Sequence, residues 1–336
     1  MKKYQYYFTL LKIYFSYITG KKVVNYFPVK LWIETSGICN LACRLCVNKD
    51  LPDKQKNNMN FDLFRKIIDE IKTQVYEVNL FHRGEALINP EITEMIDYAV
   101  SSGIKTRLHT NAVLLDSEMS EKLIKSGLHR ISFSFDGYTK EMYEKNRIGA
   151  EFEDVLMKIN EFLRIKKDLF SKTPHTTIQV IEYDKDLMQK ELGKQKRKFF
   201  SAFKNNTPDR FVIRKPHNWG GSLKTAEPES ADTGFKKTKI LKCTFLWYAM
   251  VILSDGKVVP CPQDFFGRLE LGDINRKNLK EIFNDNKIVH MRKKFSGRDI
   301  DDLHPCSNCD RVFRRTILGI PSDYMGIFFR DSIRKN

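Results

Sequence analysis

The chain is predicted to be an α/β protein: a parallel sheet curved into a full or partial barrel, followed by a small cysteine-rich domain. Three observations predict it. From residue 30, short apolar runs of strand type alternate six times with longer segments whose apolar residues recur at helical spacing. After a polar, Gly/Ser-rich stretch at 218–242 the texture changes to a hairpin-like "CTFLWYAMVILSDGKVVPC", then "LGDI", "NLKEIFND" and "PCSNCD". All seven cysteines fall into two groups, at 39, 43 and 46 and at 243, 261, 306 and 309.

Taken in order, "VKLWIET" reads as a strand and "NFDLFRKIIDEIK" as a helix; "VYEVNLF" is the second strand. "NPEITEMIDYAVSSG" is a helix with Pro90 near its start and Gly103 past its end, the usual asymmetry of helix termini. "IKTRLHT", "DSEMSEKLIKSG" and "HRISFSFDG" continue the alternation. A long helix over about 139–168 leads to the strand "TTIQVIEY". A lysine-rich helix, "KELGKQKRKFFSAFK", precedes the sixth strand, "DRFVIRK", and the lysines of 185–204 read as its solvated face. Six such units imply right-handed crossovers, with ligands at the C-terminal ends of the strands. The expected divisions are an amphipathic helical segment at 1–29, the barrel at 30–217, a linker at 218–242, the cysteine-rich domain at 243–312 and a basic, helical tail at 313–336.

A hydrophobic content of 41% with 30% charged residues is that of a water-soluble globular chain. The formal charge of +16 favours anionic partners, but the basic residues are scattered rather than blocked, which argues against a nucleic-acid-binding protein. An odd number of grouped cysteines without a secretion signal argues against a disulfide framework and for metal or redox chemistry in a reducing cytoplasm. At the start, "MKKYQYYFTLLKIYFSYITGKK" holds an apolar run over 4–18 that is too short to span a bilayer and contains Lys12. It lacks a small-residue cleavage site. Two readings fit it: a helix packed on the main domain, or an interfacial helix touching an anionic membrane surface.

"CNLACRLC" sets Cys39, Cys43 and Cys46 at a C-x3-C-x2-C spacing directly after the first strand. A structural zinc takes four protein ligands and a disulfide two sulfurs. A [4Fe–4S] cube offers four irons, and three thiolates on one loop leave one iron open to an outside ligand. A zinc site completed from elsewhere, or a buried structural trio, are the alternatives.

With its neighbouring loops this segment resembles the radical SAM family, whose signature is C-x3-C-x2-C after the first barrel strand. "HRGEAL" resembles the family's Gly-Gly-Glu-Pro segment, which holds the amino end of S-adenosylmethionine (SAM); Gly84 and Glu85 match, while Arg83 and Ala86 replace the usual Gly and Pro. "HTNA" is similar to the Thr-Asn-Gly of many members and makes Thr110 and Asn111 nucleoside contacts. "SFSFDG" turns Ser134 and Asp136 towards the barrel mouth, and "YEKNR" puts Arg147 where relatives often hold the SAM carboxylate or the substrate. His82, just before this loop's glycine, reads either as a SAM contact or base or as a hydrogen-bonded structural histidine. The resemblance runs over about 30–215 and implies a partial (β/α)6 barrel, SAM and a [4Fe–4S] cluster on Cys39, Cys43 and Cys46. Asp136 and Arg147 are the preferred substrate-side groups, because a C–H bond must be held within reach of the radical.

Cys243, Cys261, Cys306 and Cys309 would also satisfy a zinc ribbon, although Cys243 and Cys261 are too far apart for its close pair. Their layout, with Gly256 in "GKVVPC", resembles the twitch/SPASM domains of radical SAM enzymes and implies an auxiliary [4Fe–4S] cluster with no open iron. In "RKPHNWGG", His217, Asn218 and Trp219 read as a structural turn or a substrate contact.

The function so implied is reductive cleavage of SAM to a 5′-deoxyadenosyl radical that takes hydrogen from a polar small molecule: a sugar, an aminocyclitol or a phosphorylated or nucleotide-linked sugar. The auxiliary cluster suits a net two-electron oxidation, with flavodoxin or ferredoxin as a low-potential donor. Rival readings are modification of a ribosomal peptide; deamination, dehydration or epimerisation of a sugar; and, in another class, a zinc-containing RNA- or membrane-binding protein.

Overall fold

The computed structural model of the chain describes residues 3–182, 189–214, 216–223, 242–313, 316–317 and 320–321. Alternation along β4 (Arg130–Asp136) shows how the sheet is built. Ile131, Phe133 and Phe135 are fully buried under helices, Phe133 against Phe162 and Phe135 against Tyr143 and Phe199. Ser132, Ser134 and Asp136 take the other face, which becomes the barrel lumen.

The other strands of this half are β1 (Lys30–Ile33), β2 (Glu77–Asn79), β3 (Lys105–Thr110), β5 (His175–Ile181) and β6 (Arg210–Arg214). All six run parallel and in sequence order, as βαβ crossovers require. The helices preceding and covering them are α1 (Lys3–Thr19), α2 (Phe61–Ile71), α3 (Ile92–Ser101), α4 (Ser117–Lys125), α5 (Lys140–Asn146), α6 (Phe152–Asp168) and α7 (Gln189–Ser201). Side chains expected at turns close the helix starts: Asn60, Asp116 and Thr139 each accept from a backbone N–H three residues on.

Two expectations are corrected. The single helix over 139–168 is two helices, broken between Asn146 and Phe152 with Gly149 at φ 99°. The break has a partner: Ala42 N donates to Ile148 O at 3.0 Å and Arg44 N to Asn146 O at 2.8 Å, so the freed carbonyls hold the first cysteine loop. The tail expected to be helical contributes a small antiparallel pair, β10 (Thr316–Ile317) with β11 (Ile320–Pro321); its residues 314–315, 318–319 and 322–336 lie outside the described residues. So do 224–241 of the expected linker and 183–188 before the lysine-rich helix, on which Lys190, Lys194 and Lys198 are exposed.

The second half does not stand apart. After α8 (Phe245–Tyr248), β7 (Ala249–Ile252) pairs parallel with β1, Lys30 opposite Ala249 through Ile33 opposite Ile252. Then β8 (Lys257–Val259) and β9 (Gly272–Asp273) add antiparallel, giving one nine-stranded sheet in the order β6-β5-β4-β3-β2-β1-β7-β8-β9. α9 (Leu279–Ile282) and α10 (Asn286–Gly297) close this half. α1 docks here: Tyr17 meets Trp247 edge-on at 5.6 Å, and Trp247 Nε1 donates to Lys21 O at 2.8 Å. Among the described residues no helix is long and apolar enough to cross a membrane.

Candidate active site

The first cysteine loop leaves β1 at the C-terminal end of the barrel and is clamped by the loop after β2. Glu85 N donates to Ile38 O at 2.8 Å, and Asn48 Nδ2 donates to both Gly37 O and Arg83 O at 3.0 Å. A Cβ on Gly84 would sit 2.3 Å from Ile38 O and 2.6 Å from Ser36 O, so the two loops approach only because residue 84 has no side chain. Cys39, Cys43 and Cys46 are unbridged and half-buried. Burial pushes the Cys39 thiol up to about 11 and Cys46 up to about 12, and each thiol feels the charge of another. Backbone N–H groups of Leu41 and Asn48 point at Cys39 and Cys46, as donors do to metal-bound thiolates.

Glu85 is buried beside this trio. Its Oε2 accepts from Asn111 N at 2.7 Å and its Oε1 from Leu87 N at 3.1 Å, while burial raises its pKa against those bonds. Asn111 Nδ2 donates to Asn40 Oδ1 at 2.8 Å, tying the β3 loop to the cysteine loop. Thr110 Oγ1 accepts from Ala112 N at 3.0 Å; Ala112 has φ 64°, the backbone state for which glycine is the natural residue. The sequence-predicted Gly84, Glu85, Thr110 and Asn111 are thus one connected rim around the three thiols.

Across the mouth, Arg147 Nε lies 3.0 Å from Asp136 Oδ2, and both side chains are buried. Asp136 Oδ1 is buried without a hydrogen-bond partner among the described residues. Both groups act electrostatically on the Cys43 thiol, which puts them on the trio's side of the lumen. Ser134 is hydrogen-bonded to His109 Nε2 at 2.5 Å. His82 Nε2 is shielded and has no hydrogen-bond partner among the described residues, its ring 5.9 Å from Phe265; burial, with Arg83 beside it, holds its pKa well below the usual value.

Two features escaped sequence reasoning. His109 stands in the lumen between Ser134 and Phe81, and burial, with Arg147, Arg107 and Arg214 nearby, pushes it down to about 3. Arg83 forms a fully buried, two-pronged ion pair with Glu34, at 2.5 Å from Nε to Oε2 and 2.7 Å from Nη2 to Oε1. Glu34 Oε1 also accepts from Ser254 N and Oγ, and Arg83 Nη1 donates to Phe265 O at 3.3 Å, so the pair spans both halves of the chain. The available signals were an acid at an inward strand position and an arginine in place of the usual glycine.

Cys243, Cys261, Cys306 and Cys309 line one small cavity with Phe245 and Phe295. Burial pushes Cys243, Cys261 and Cys309 up to about 12 and Cys306 further, each raised again by other thiols of the set. Backbone N–H groups of Phe245, Leu246, Gln263, Asp264 and Arg311 point at three of these sulfurs. Among the described residues no group of three or more His, Cys, Asp or Glu side chains is set to hold a metal ion. The mutual electrostatic influence of the thiols still gathers them into two sets, and the corners of a four-iron cube lie wider apart than the ligands of one ion. Buried thiols with N–H donors aimed at them fit such a cube, three around an opening and four around a closed cavity.

A strap joins the two sets. Trp219 Nε1 donates to Leu45 O at 3.0 Å, its ring lies 4.9 Å from Phe265, and Cys46 packs against the same patch. Asn218 Nδ2 donates to Asn308 O at 2.9 Å, and a Cβ on Gly221 would meet Asn308 Cβ at 2.6 Å. His217 stacks edge-on with Trp219 at 4.2 Å. The segment packs as a turn between the halves.

Comparison with known proteins agrees with this geometry. Residues 33–181 match the radical SAM superfamily, and residues 243–310 match SPASM, an iron–sulfur cluster-binding domain. An AdoMet-dependent heme synthase of Methanosarcina barkeri is 32% identical over 134 residues, 40% of this chain and 38% of that protein. The mycofactocin maturase MftC of Mycobacterium ulcerans is 29% identical over 126 residues, 37% of this chain and 34% of the relative. The chain therefore spans little more than a third of the curated relatives it matches. In fold it is similar to BtrN solved with AdoMet and 2-DOIA, at a TM-score of 0.57 and 15% identity over 86% of this chain and 94% of that one. It is also similar to Streptococcus suis SuiB bound to precursor peptide SuiA, at 0.61 and 16% over 89% and 73%. The two domains imply SAM and [4Fe–4S] clusters as cofactors. The chain belongs to the radical SAM superfamily and carries a SPASM domain behind its barrel.

Proposed function

We propose that the chain oxidises a polar small molecule, a sugar, an aminocyclitol or a phosphorylated or nucleotide-linked sugar, by two electrons. Cys39, Cys43 and Cys46 would hold the cluster that binds SAM, and Cys243, Cys261, Cys306 and Cys309 an auxiliary cluster that accepts an electron. When bound, the first cluster and SAM supply hydrogen-atom abstraction from an unactivated C–H bond. The chain's own residues do the positioning. Gly84 lets the loop backbone reach the ligand, Glu85 offers a carboxylate to its ammonium end, and Thr110 and Asn111 flank the nucleoside. The observation that carries a polar substrate is Asp136: a buried carboxylate oxygen without a partner among the described residues, fixed by Arg147, calls for a hydroxyl or ammonium donor. Ser134 and His109 extend the same polar wall.

A flavodoxin or ferredoxin in a reducing cytoplasm is the fitting electron source. A second reading, modification of a ribosomal peptide, is favoured by the likeness to mycofactocin maturases. Anaerobically reconstituted protein is expected to contain about eight irons and, with dithionite, to release 5′-deoxyadenosine from SAM. Aminocyclitols, sugar phosphates and nucleotide sugars should raise that release and be recovered two mass units lighter (about one hydrogen pair lost). Asp136→Asn should abolish that stimulation while leaving the uncoupled release. Stimulation by short peptides alone would sink the small-molecule reading.

A further inference from the structure

Helix α1 carries two apolar sides, parted along one edge by a polar strip of Gln5, Thr9, Lys12, Ser16 and Thr19, and the chain covers only one of them. Ile13 and Tyr17 are buried, with Tyr6 and Leu10 partly buried against the same core; Tyr6 lies 5.6 Å from Tyr76 of the barrel half. On the opposite side Tyr4, Phe8, Leu11, Phe15 and Ile18 are 65%, 60%, 56%, 63% and 41% exposed. At helical spacing these five form one stripe within an arc of roughly 80°. A helix that is apolar on two opposite sides calls for an apolar surrounding on both. Single exposed apolar residues are ordinary, but a four-turn stripe of three aromatics and two aliphatics is not.

The charge around the stripe says what covers it. Residues 1–29 include five lysines and no aspartate or glutamate, and the next lysine, Lys30, is already paired with Glu77. Lys12 is exposed, its Nζ lying 4.7 Å over the Phe8 ring, and Lys21 and Lys22 are exposed just past the helix end, next to the 56% exposed Val23. We propose that α1 is an interfacial helix that seats the protein on an anionic lipid bilayer, its stripe sunk to the headgroup boundary and its lysines against lipid phosphates. Aromatic rings and lysines suit that boundary, where apolar bodies face the acyl region and ammonium groups stay in water. A second copy of α1 would bring a second set of lysines with no acid to answer them, a repulsive pairing. Because the buried side of α1 is fixed to the protein by Tyr17, Trp247 and the backbone of residues 21 and 22, the body would be held in one orientation against the surface.

The test uses the anaerobically prepared full chain and vesicle flotation. Vesicles of phosphatidylcholine mixed with phosphatidylglycerol should carry the protein, vesicles of phosphatidylcholine alone should not, and about 1 M salt should release it. The triple variant Phe8→Ser/Leu11→Ser/Phe15→Ser should lose binding by on the order of a hundredfold or more. Lys21→Gln/Lys22→Gln should lose it by on the order of tenfold. Both variants should keep wild-type iron content and SAM cleavage, which separates this proposal from the catalytic one. Absence of flotation, equal flotation on neutral vesicles, or undiminished binding by the triple variant would overturn it. So would a concentration-dependent dimer that the triple variant abolishes in protein that ignores vesicles, which would assign the stripe to a second copy.

Discussion

The two cysteine sets solve opposite problems. Cys39, Cys43 and Cys46 come from one short loop, held by backbone bonds to the break between α5 and α6 and faced by a polar lumen. Cys243, Cys261, Cys306 and Cys309 come from three separated segments and enclose a cavity with apolar walls at Phe245 and Phe295. Three ligands from one loop leave a side open, and four from several directions do not. The difference teaches that exposure to chemistry is decided by where the ligands start in the chain as much as by their number.

The largest expected effect separates the sets. Replacing Cys39, Cys43 and Cys46 by alanine should remove about four of the irons and bring 5′-deoxyadenosine release below detection. Replacing Cys306 and Cys309 should also lower the iron content but leave that release measurable. If the second variant, with its first cluster intact by electron paramagnetic resonance, cannot cleave SAM at all, the contrast between an open and a closed centre fails.

An intermediate effect is expected at the Arg83–Glu34 pair, which fastens one set to the other. Arg83→Met leaves Glu34 buried without its cation and should cost about 3–5 kcal/mol of stability in anaerobic denaturation. The double variant Arg83→Met/Glu34→Leu should recover most of that loss; a double variant no better than the single one would show that the pairing is not what matters.

The smallest effect concerns His109, a group of the open side alone. Its folded pKa, about 3, lies below the ordinary histidine value of 6.5, so below that value the unfolded chain binds a proton that the folded one refuses. Its contribution is complete above about pH 6.5 and shrinks as pH falls towards 3. His109→Phe should therefore flatten the fall in melting temperature between pH 7 and 5.5. An unchanged slope would place the sensitivity elsewhere.

Much of this was legible in the sequence because it is local. Strand alternation turned Ser134 and Asp136 inward, and cysteine spacing together with "HRGEAL" assembled the rim of Gly84 and Glu85. What was not legible depends on distant partners. The break at Gly149 exists because Asn146 and Ile148 carbonyls serve a loop a hundred residues earlier, and helical periodicity on both sides hides it. The bond between Arg83 and Glu34 joins residues 49 positions apart and cannot be inferred from either neighbourhood. His109 was hidden by its own motif, since "HTNA" drew notice to the two residues after it.

The seam between β1 and β7 has a consequence for anyone dividing the protein. Cut away the second half, and the main chain of Lys30–Ile33 becomes a raw border, its ladder partners Ala249–Ile252 gone. Such a border recruits whatever strand it meets, so a barrel expressed alone is expected to clump rather than to work as a smaller enzyme.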